Sequence, residues 1–404
     1  MMKQLLFVDD ETQVLHGLKR QLHHMSSKWQ VNFVTSGKAA LEFMAITPVD
    51  VLVTDFQMPE MDGAKLLMTV RDRFPATVRL VLSGQTDSAM ALKLVGPAHQ
   101  FLSKPCDPRE LRSAISSSFA VRDLLANEQL KRLTAQMHSL PSLPSLYTEM
   151  INELRKPDAD FEKINEMVSQ DIGMTTKILQ VVNSAFFGLA QPMSRTTDAV
   201  RHLGLNTMRD LVLCLKVFSQ FEQITLPEFS IEELFQHSYQ TATLARAIAL
   251  TERRDLIFQD QCFLAGLLHD VGQLVLAAGT PEPYGRVLKT VRKLKVTLLE
   301  AEQAEYGATH AEVGGYLLAL WGLQAPVVEA VTLHHRPQSA LAQCFSPVVA
   351  VHVADVLAHE LAGGQKDWQA MEMDKAFLAK LNLEERLEVW RTKCFEQPAS
   401  ARAN

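Results

Sequence analysis

The chain has 404 residues, more than one compact domain holds, so two or three domains are expected. Apolar residues make up 47% and charged residues 21%, which is enough apolar material for packed cores. A net charge of -6 gives no general attraction to nucleic acid or to an anionic membrane surface, so neither is expected as a partner.

Residues 1–122 alternate short apolar runs with helical periodicity. The candidate strands are 4–8, 31–35, 51–54, 79–82 and 100–102, and each is nearly continuous in apolar residues, as strands covered on both faces are. Five such units predict an α/β doubly wound, flavodoxin-like domain, whose chemistry would sit at the carboxyl ends of the strands. Residues 113–137 then read as one unbroken helical pattern, with Leu130, Leu133 and Met137 three and four apart. This predicts a last domain helix running on into a helical linker over 123–140, with an apolar stripe suited to pairing in a homodimer. The prolines of LPSLPSL, 140–146, are expected to stop it.

Residues 141–396 read as a single all-α domain, with 397–404 as a disordered tail. Capping boxes are expected at Ser230…Glu233, Thr297…Glu300, Thr309…Glu312 and Asn382…Glu385. The apolar stretch 263–279 is interrupted by His269 and Asp270 and reads as too short and polar to span a bilayer. Cys106, Cys214, Cys262, Cys344 and Cys394 are odd in number and form no CxxC pair, and the N-terminus MMKQLLFVDD lacks a signal-peptide pattern. A cytoplasmic protein with reduced thiols is the expectation.

Four features fall at predicted strand ends: Asp9 and Asp10 after the first strand, Asp55 after the third, Ser83 after the fourth and Lys104-Pro105 after the fifth. In a parallel sheet all converge on one edge. Clustered carboxylates repel and call for a hard divalent cation such as Mg2+. A carboxylate beside that cation, a lysine and a hydroxyl can accept a phosphoryl group.

The segments VDD at 8–10, TDFQMPEMDG at 54–63, LSG at 82–84 and FLSKP at 101–105 closely resemble the receiver domain of two-component systems. The resemblance implies that Asp55 is the phosphoacceptor and that Asp9, Asp10, Asp55 and the backbone carbonyl of Gln57 hold Mg2+. It implies that Ser83 and Lys104 bind the phosphoryl oxygens, that Phe101 is an aromatic switch, that Lys104-Pro105 is a cis peptide and that a sensor histidine kinase is the phosphoryl donor.

The helical half carries His237, His269, Asp270, His310, His334, His335 and Asp355, residue types that converge either on a divalent metal or in a hydrogen-bond network between helices. LPSLPSL, QDIGMTTKILQVVNSAFFG and DAVRHLGLNTMRDL, followed by HDVGQL, HAEVGGYLLALWGL and AVTLHH, resemble the HDOD family of the HD superfamily over 135–362. That resemblance implies a signalling or protein-interaction module with an unnamed protein target, controlled by Asp55. It also relates the chain to HD-GYP phosphodiesterases, which hydrolyse cyclic di-GMP with bound iron or manganese. Two parts of that pattern are absent: Gln273 stands where the lysine of HDxGK would be, and Arg336-Pro337-Gln338 follows His334-His335 in place of the GYP loop. Asn183, Ser184, Phe186 and Phe187 are expected to bridge or pack helices.

Overall fold

The computed structural model describes residues 2–22, 29–83, 97–104, 106–124, 127–137, 144–154, 156, 158–183, 193–209, 226–253, 255–340, 344–362 and 372–395. The side chains of Ser83 and Phe101, all of Gly84, Pro105, Ser184, Phe186, Phe187 and Cys214, and the tail 397–404 lie outside that set.

Five strands, β1 Lys3–Val8, β2 Trp29–Val34, β3 Val51–Asp55, β4 Val78–Ser83 and β5 Gln100–Ser103, form one sheet in the order β2-β1-β3-β4-β5. Every pairing is parallel, with Val8 opposite Thr54 and Asp55 opposite Leu82. The doubly wound expectation therefore holds, and it aligns the carboxyl ends of β1, β3 and β5. Alternation along β1 sends Leu5 and Phe7 to one face and Leu6 and Val8 to the other. Leu6 and Val8 pack with Ala40 and Met44 of α2 (Gly37–Ile46) and Leu66, Leu67 and Val70 of α3 (Gly63–Arg73). Leu5 and Phe7 pack with Leu15 and Leu18 of α1 (Thr12–Leu22) and with Leu111, Ile115 and Phe119 of α4 (Pro108–Leu124).

The helical pattern over 113–137 is two helices rather than one. Asn127 takes an extended conformation and its side chain accepts from the Gln129 and Leu130 amides, starting α5 (Glu128–Gln136). A capping asparagine competes with helix continuation, which hydrophobic spacing alone does not register. The apolar stripe also faces inward. Leu130 is buried in the main core, and a Cβ on Gly279 would sit 2.8 Å from Leu133 Cδ2, so the stripe expected to pair two copies is covered by the chain's own helical half.

That half contains α6 (Pro144–Leu154), α7 (Phe161–Gln170), α8 (Ile172–Val182), α9 (Thr196–Arg209), α10 (Ile231–Glu252), α11 (Leu256–Leu268), α12 (Val271–Gly279), α13 (Pro281–Leu294), α14 (Leu298–Tyr306), α15 (His310–Leu320), α16 (Ala325–Leu333), α17 (Pro347–Leu361), α18 (Lys375–Lys380) and α19 (Arg386–Phe395). Pro144 opens α6, so the second proline of LPSLPSL starts a helix, where its missing N–H costs nothing. Ser230 caps α10, and Thr297 and Thr309 make full capping boxes with Glu300 and Glu312. The box at Asn382 does not form: Asn382 has φ 58° just after α18, and the next helix begins only at Arg386. Among the described residues one helical stretch, Leu256–Gly279, is by length and composition apolar enough to cross a membrane, and 78% of its most apolar window is buried inside the fold.

The two halves meet along α15, which α4 and α5 pack against. The Gln100 side-chain amide donates to the carbonyls of Ala319 (3.3 Å) and Leu320 (3.4 Å) at the α15 C-terminus. Asn127 Nδ2 donates to the Tyr306 carbonyl at the end of α14 (2.6 Å).

Candidate phosphoacceptor site and metal centre

At the carboxyl edge of the sheet, Asp9, Asp10 and Asp55 each bring a carboxylate oxygen within 4.8 Å of the others. Asp9 and Asp55 are buried, whereas Asp10 is exposed. Lys104 leaves β5 and places Nζ 2.7 Å from both Asp9 Oδ2 and Asp55 Oδ1. Burial raises the Asp55 pKa and the Asp9 charge adds to this, against the Lys104 ammonium. Burial opposes the charge on Lys104, but its hydrogen bonds to Asp55 and Asp9 outweigh it and raise its pKa. One ammonium against three carboxylates leaves excess negative charge, which fits a divalent cation. Gly63 closes the loop over the site: its N–H donates to the Phe56 carbonyl (2.8 Å), and a Cβ there would overlap the Asp55 carbonyl. Gln57 lies exposed in that loop, and Ser83 is the last residue of β4.

The seven candidate residues of the helical half also come together. Their ligand atoms form two groups, Asp270 with His310, His334 and His335, and Asp355 with His237 and His269. Asp270 lies between them. Its Oδ1 is 3.1 Å from His310 Nε2 and 3.9 Å from His334 Nε2; its Oδ2 is 3.4 Å from His269 Nε2 and 4.0 Å from His237 Nε2. Asp355 Oδ1 is 3.0 Å from His237 Nε2 and 3.7 Å from His269 Nε2.

Close helix packing makes this possible. A Cβ on Gly266 of α11 would lie 2.7 Å from Ala242 Cα of α10, so the helices carrying His237 and His269 approach backbone to backbone. A Cβ on Gly272 would overlap the His310 carbonyl, and this presses α12 onto the start of α15. On α15, Gly315 leaves room for Thr332, which draws in the helix that ends at His334.

The imidazoles are oriented from behind. His269 Nδ1 faces the Gly266 carbonyl at 2.7 Å, His334 Nδ1 the Val331 carbonyl at 2.7 Å, and His310 Nδ1 the Glu302 carboxylate at 2.8 Å. Each partner only accepts, so each Nδ1 carries the proton. On His269 and His334 this leaves the Nε2 lone pair aimed into the site, the arrangement that metal-bound histidines use. His334 Nε2 is buried and has no hydrogen-bond partner, as is His335 Nδ1. An orphaned buried nitrogen 3.9 Å from the Asp270 carboxylate fits a metal better than a closed hydrogen-bond network. Burial opposes ionisation of Asp270 and Asp355, yet the surrounding imidazoles hold both well below the usual carboxylate range. Burial disfavours a charged His310, but Glu302 and Asp270 overcome it and push its pKa up to about 10. Burial, then His269, push His334 down to about 3.

Sequence reasoning missed three residues here. Glu302, fully buried on α14, orients His310 and also accepts from its backbone N–H at 2.8 Å. His352 Nδ1 lies 2.8 Å from the His334 carbonyl. His359 stands one turn after Asp355, with Nε2 3.4 Å from Asp355 Oδ1; the DxxxH spacing was the only sequence signal for it. Gln273 lies one turn after Asp270, and its Oε1 accepts from the Tyr284 hydroxyl at 3.3 Å. Asn183 bridges as expected: it pairs with both the N–H and the carbonyl of Met193.

Residues 5–116 match the family model of the response regulator receiver domain, and residues 140–337 match that of the HDOD domain. An uncharacterized protein of Treponema pallidum is 27% identical over 228 residues, which are 55% of this chain and 43% of that protein. The hydrogenase transcriptional regulatory protein HoxA of Cupriavidus necator is 30% identical over 164 residues, 40% of this chain and 33% of HoxA. The chain thus spans less than half the length of these relatives. The crystal structure of the MmoQ response regulator from Methylococcus capsulatus is 22% identical, with a TM-score of 0.48, and the match covers 63% of this chain and 98% of that one. The chain is a response regulator that joins an N-terminal receiver domain to a C-terminal HDOD domain.

Proposed function

We propose that phosphorylation of Asp55 switches this response regulator and that strand β5 passes the change to the HDOD domain. One observation carries the reading. At its carboxyl end β5 leads into Lys104, whose Nζ is 2.7 Å from Asp55, and at its start stands Gln100, which holds the C-terminus of α15. A new charge on Asp55 competes for Lys104, and the strand carrying Lys104 is the one anchored to the helix that begins at His310. Asp9, Asp10, Asp55 and the Gln57 carbonyl would hold Mg2+, which neutralises charge on the transferred group. Lys104 and Ser83 would hold the phosphoryl oxygens. A sensor histidine kinase is the donor, and the HDOD domain, over 141–396, acts on a protein target as a signalling module. The test is intact-mass analysis after acetyl phosphate and Mg2+: a single phosphoryl adduct is expected on the wild type and none on Asp55→Ala. An undiminished adduct on Asp55→Ala overturns the assignment.

A second reading, a metal-dependent phosphohydrolase acting on a cyclic dinucleotide, is favoured by two ligand groups standing side by side with Asp270 between them. A metal such as iron or manganese there would supply an activated water. Hydrolysis also needs the phosphate neutralised and positioned. Gln273 is neutral and its oxygen is engaged by Tyr284, and Pro337–Ser339 forms a tight 3-10 turn after His335. At saturating Mn2+ only weak turnover of cyclic di-GMP is expected. Ordinary enzymatic rates in the wild type, abolished in a folded His269→Ala, would establish this second reading.

A further inference from the structure

We infer that His359 is a direct ligand of the metal held by His237, His269 and Asp355, an inference that rests on the metal-centre reading of the HD cluster. Three imidazole nitrogens surround one carboxylate oxygen. Asp355 Oδ1 lies 3.0 Å from His237 Nε2, 3.4 Å from His359 Nε2 and 3.7 Å from His269 Nε2. One carboxylate oxygen has two lone pairs, so three nitrogens converging on it exceed what a pairing role at that oxygen uses. They are what a cation drawing lone pairs toward one point requires.

The local sequence makes the placement rigid. Asp355 and His359 are four residues apart on α17, on one face of the helix and directly over each other. The ring of His359 lies 4.4 Å from that of His237, tilted by 34°, so α10 and α17 present the two imidazoles side by side. His359 differs from the other histidines in exposure: its side chain is 31% accessible, against 1% for His269 and 0% for His334. It is therefore the ligand at the mouth of the centre. Nothing in the divided grouping of Asp270 with His310, His334 and His335 competes for it, so the metal it joins is the one on the His237 side. That side would then offer three imidazoles and the Asp355 carboxylate, a set suited to a divalent transition metal.

The test uses the full chain and Co2+ as the probe, read by chelator-competition affinity and by visible absorption, which reports the ligand field directly. With excess Mg2+ present to fill the Asp9, Asp10 and Asp55 site, wild type is expected to bind two equivalents of Co2+. In His359→Ala one equivalent should weaken by roughly 100-fold or more, since losing an outer-shell partner alone typically costs about 10–100-fold. Its absorption bands should shift, and added imidazole should restore the wild-type spectrum by filling the vacated position. His359→Gln, which keeps a polar side chain of similar reach, guards against a folding defect and should show the same shift. An isotherm and spectrum of His359→Ala that superimpose on wild type overturn the inference and leave the metal centre standing. A wild type that binds no Co2+ overturns both.

Discussion

Gln100 donates its side-chain amide to the Ala319 carbonyl across the junction of the two domains, at 3.3 Å. The bond is an additional one to a helix-terminal carbonyl that already accepts from the Gly322 N–H at 3.1 Å, and Gly322, with φ 74°, lets the chain turn away beneath it. Gln100→Ala should cost about 1 kcal/mol of stability by urea unfolding. It should leave phosphorylation of Asp55 unchanged and uncouple α15 from it. A loss of phosphorylation in Gln100→Ala would show that the contact supports the receiver itself rather than the link.

Lys104 touches both Asp9 and Asp55 and is a point charge rather than a metal ligand. Lys104→Ala should therefore still bind Mg2+ but lose the phosphorylation-induced change. Limited proteolysis with and without acetyl phosphate would read this; an undiminished response in the mutant contradicts it.

Gly272 presses against the His310 carbonyl. Gly272→Ala forces α12 and α15 apart, at a cost of about 1–3 kcal/mol for overpacking. It should also separate Asp270 from His310. Metal content by elemental analysis is expected to fall in this variant, although no ligand has been replaced. A folded Gly272→Ala with full metal content would show that the site does not depend on that approach.

Lys177 on α8 is buried, with Nζ 3.0 Å from Gln180 Oε1, and burial pushes its pKa down to about 7 from 10.5. Between those values the unfolded chain binds more protons than the folded one, so stability rises with pH across the window. The slope is up to about 1.4 kcal/mol per pH unit. Urea unfolding at pH 7, 8 and 9 should show this rise in the wild type and not in Lys177→Met. Parallel pH profiles would mean that Lys177 keeps an ordinary pKa in the fold.

The receiver was legible because its signals are local. Each strand is a short apolar run, and Asp9, Asp55 and Lys104 each follow one directly. The seven HD residues could be named from their types and order, but their division into two groups around Asp270 is a tertiary fact. It depends on helices meeting at Gly266 and Gly272. Glu302 was hidden for the same reason: nothing in its surroundings within α14 separates it from a solvated glutamate, and only the approach of His310 buries it. The break at Asn127 and the failed box at Asn382 are opposite uses of one residue type. Asparagine starts a helix when its side chain accepts from following amides and ends one when it takes positive φ, and the downstream residues alone do not decide which.

Hydrogen exchange of the full chain, followed by mass spectrometry with and without acetyl phosphate and Mg2+, tests the link from Asp55 to the HDOD domain most directly. The wild type should show altered exchange in peptides from β5 and from His310–Leu320, and Asp55→Asn should show neither. Full phosphorylation of Asp55 with unchanged exchange over His310–Leu320 would contradict it.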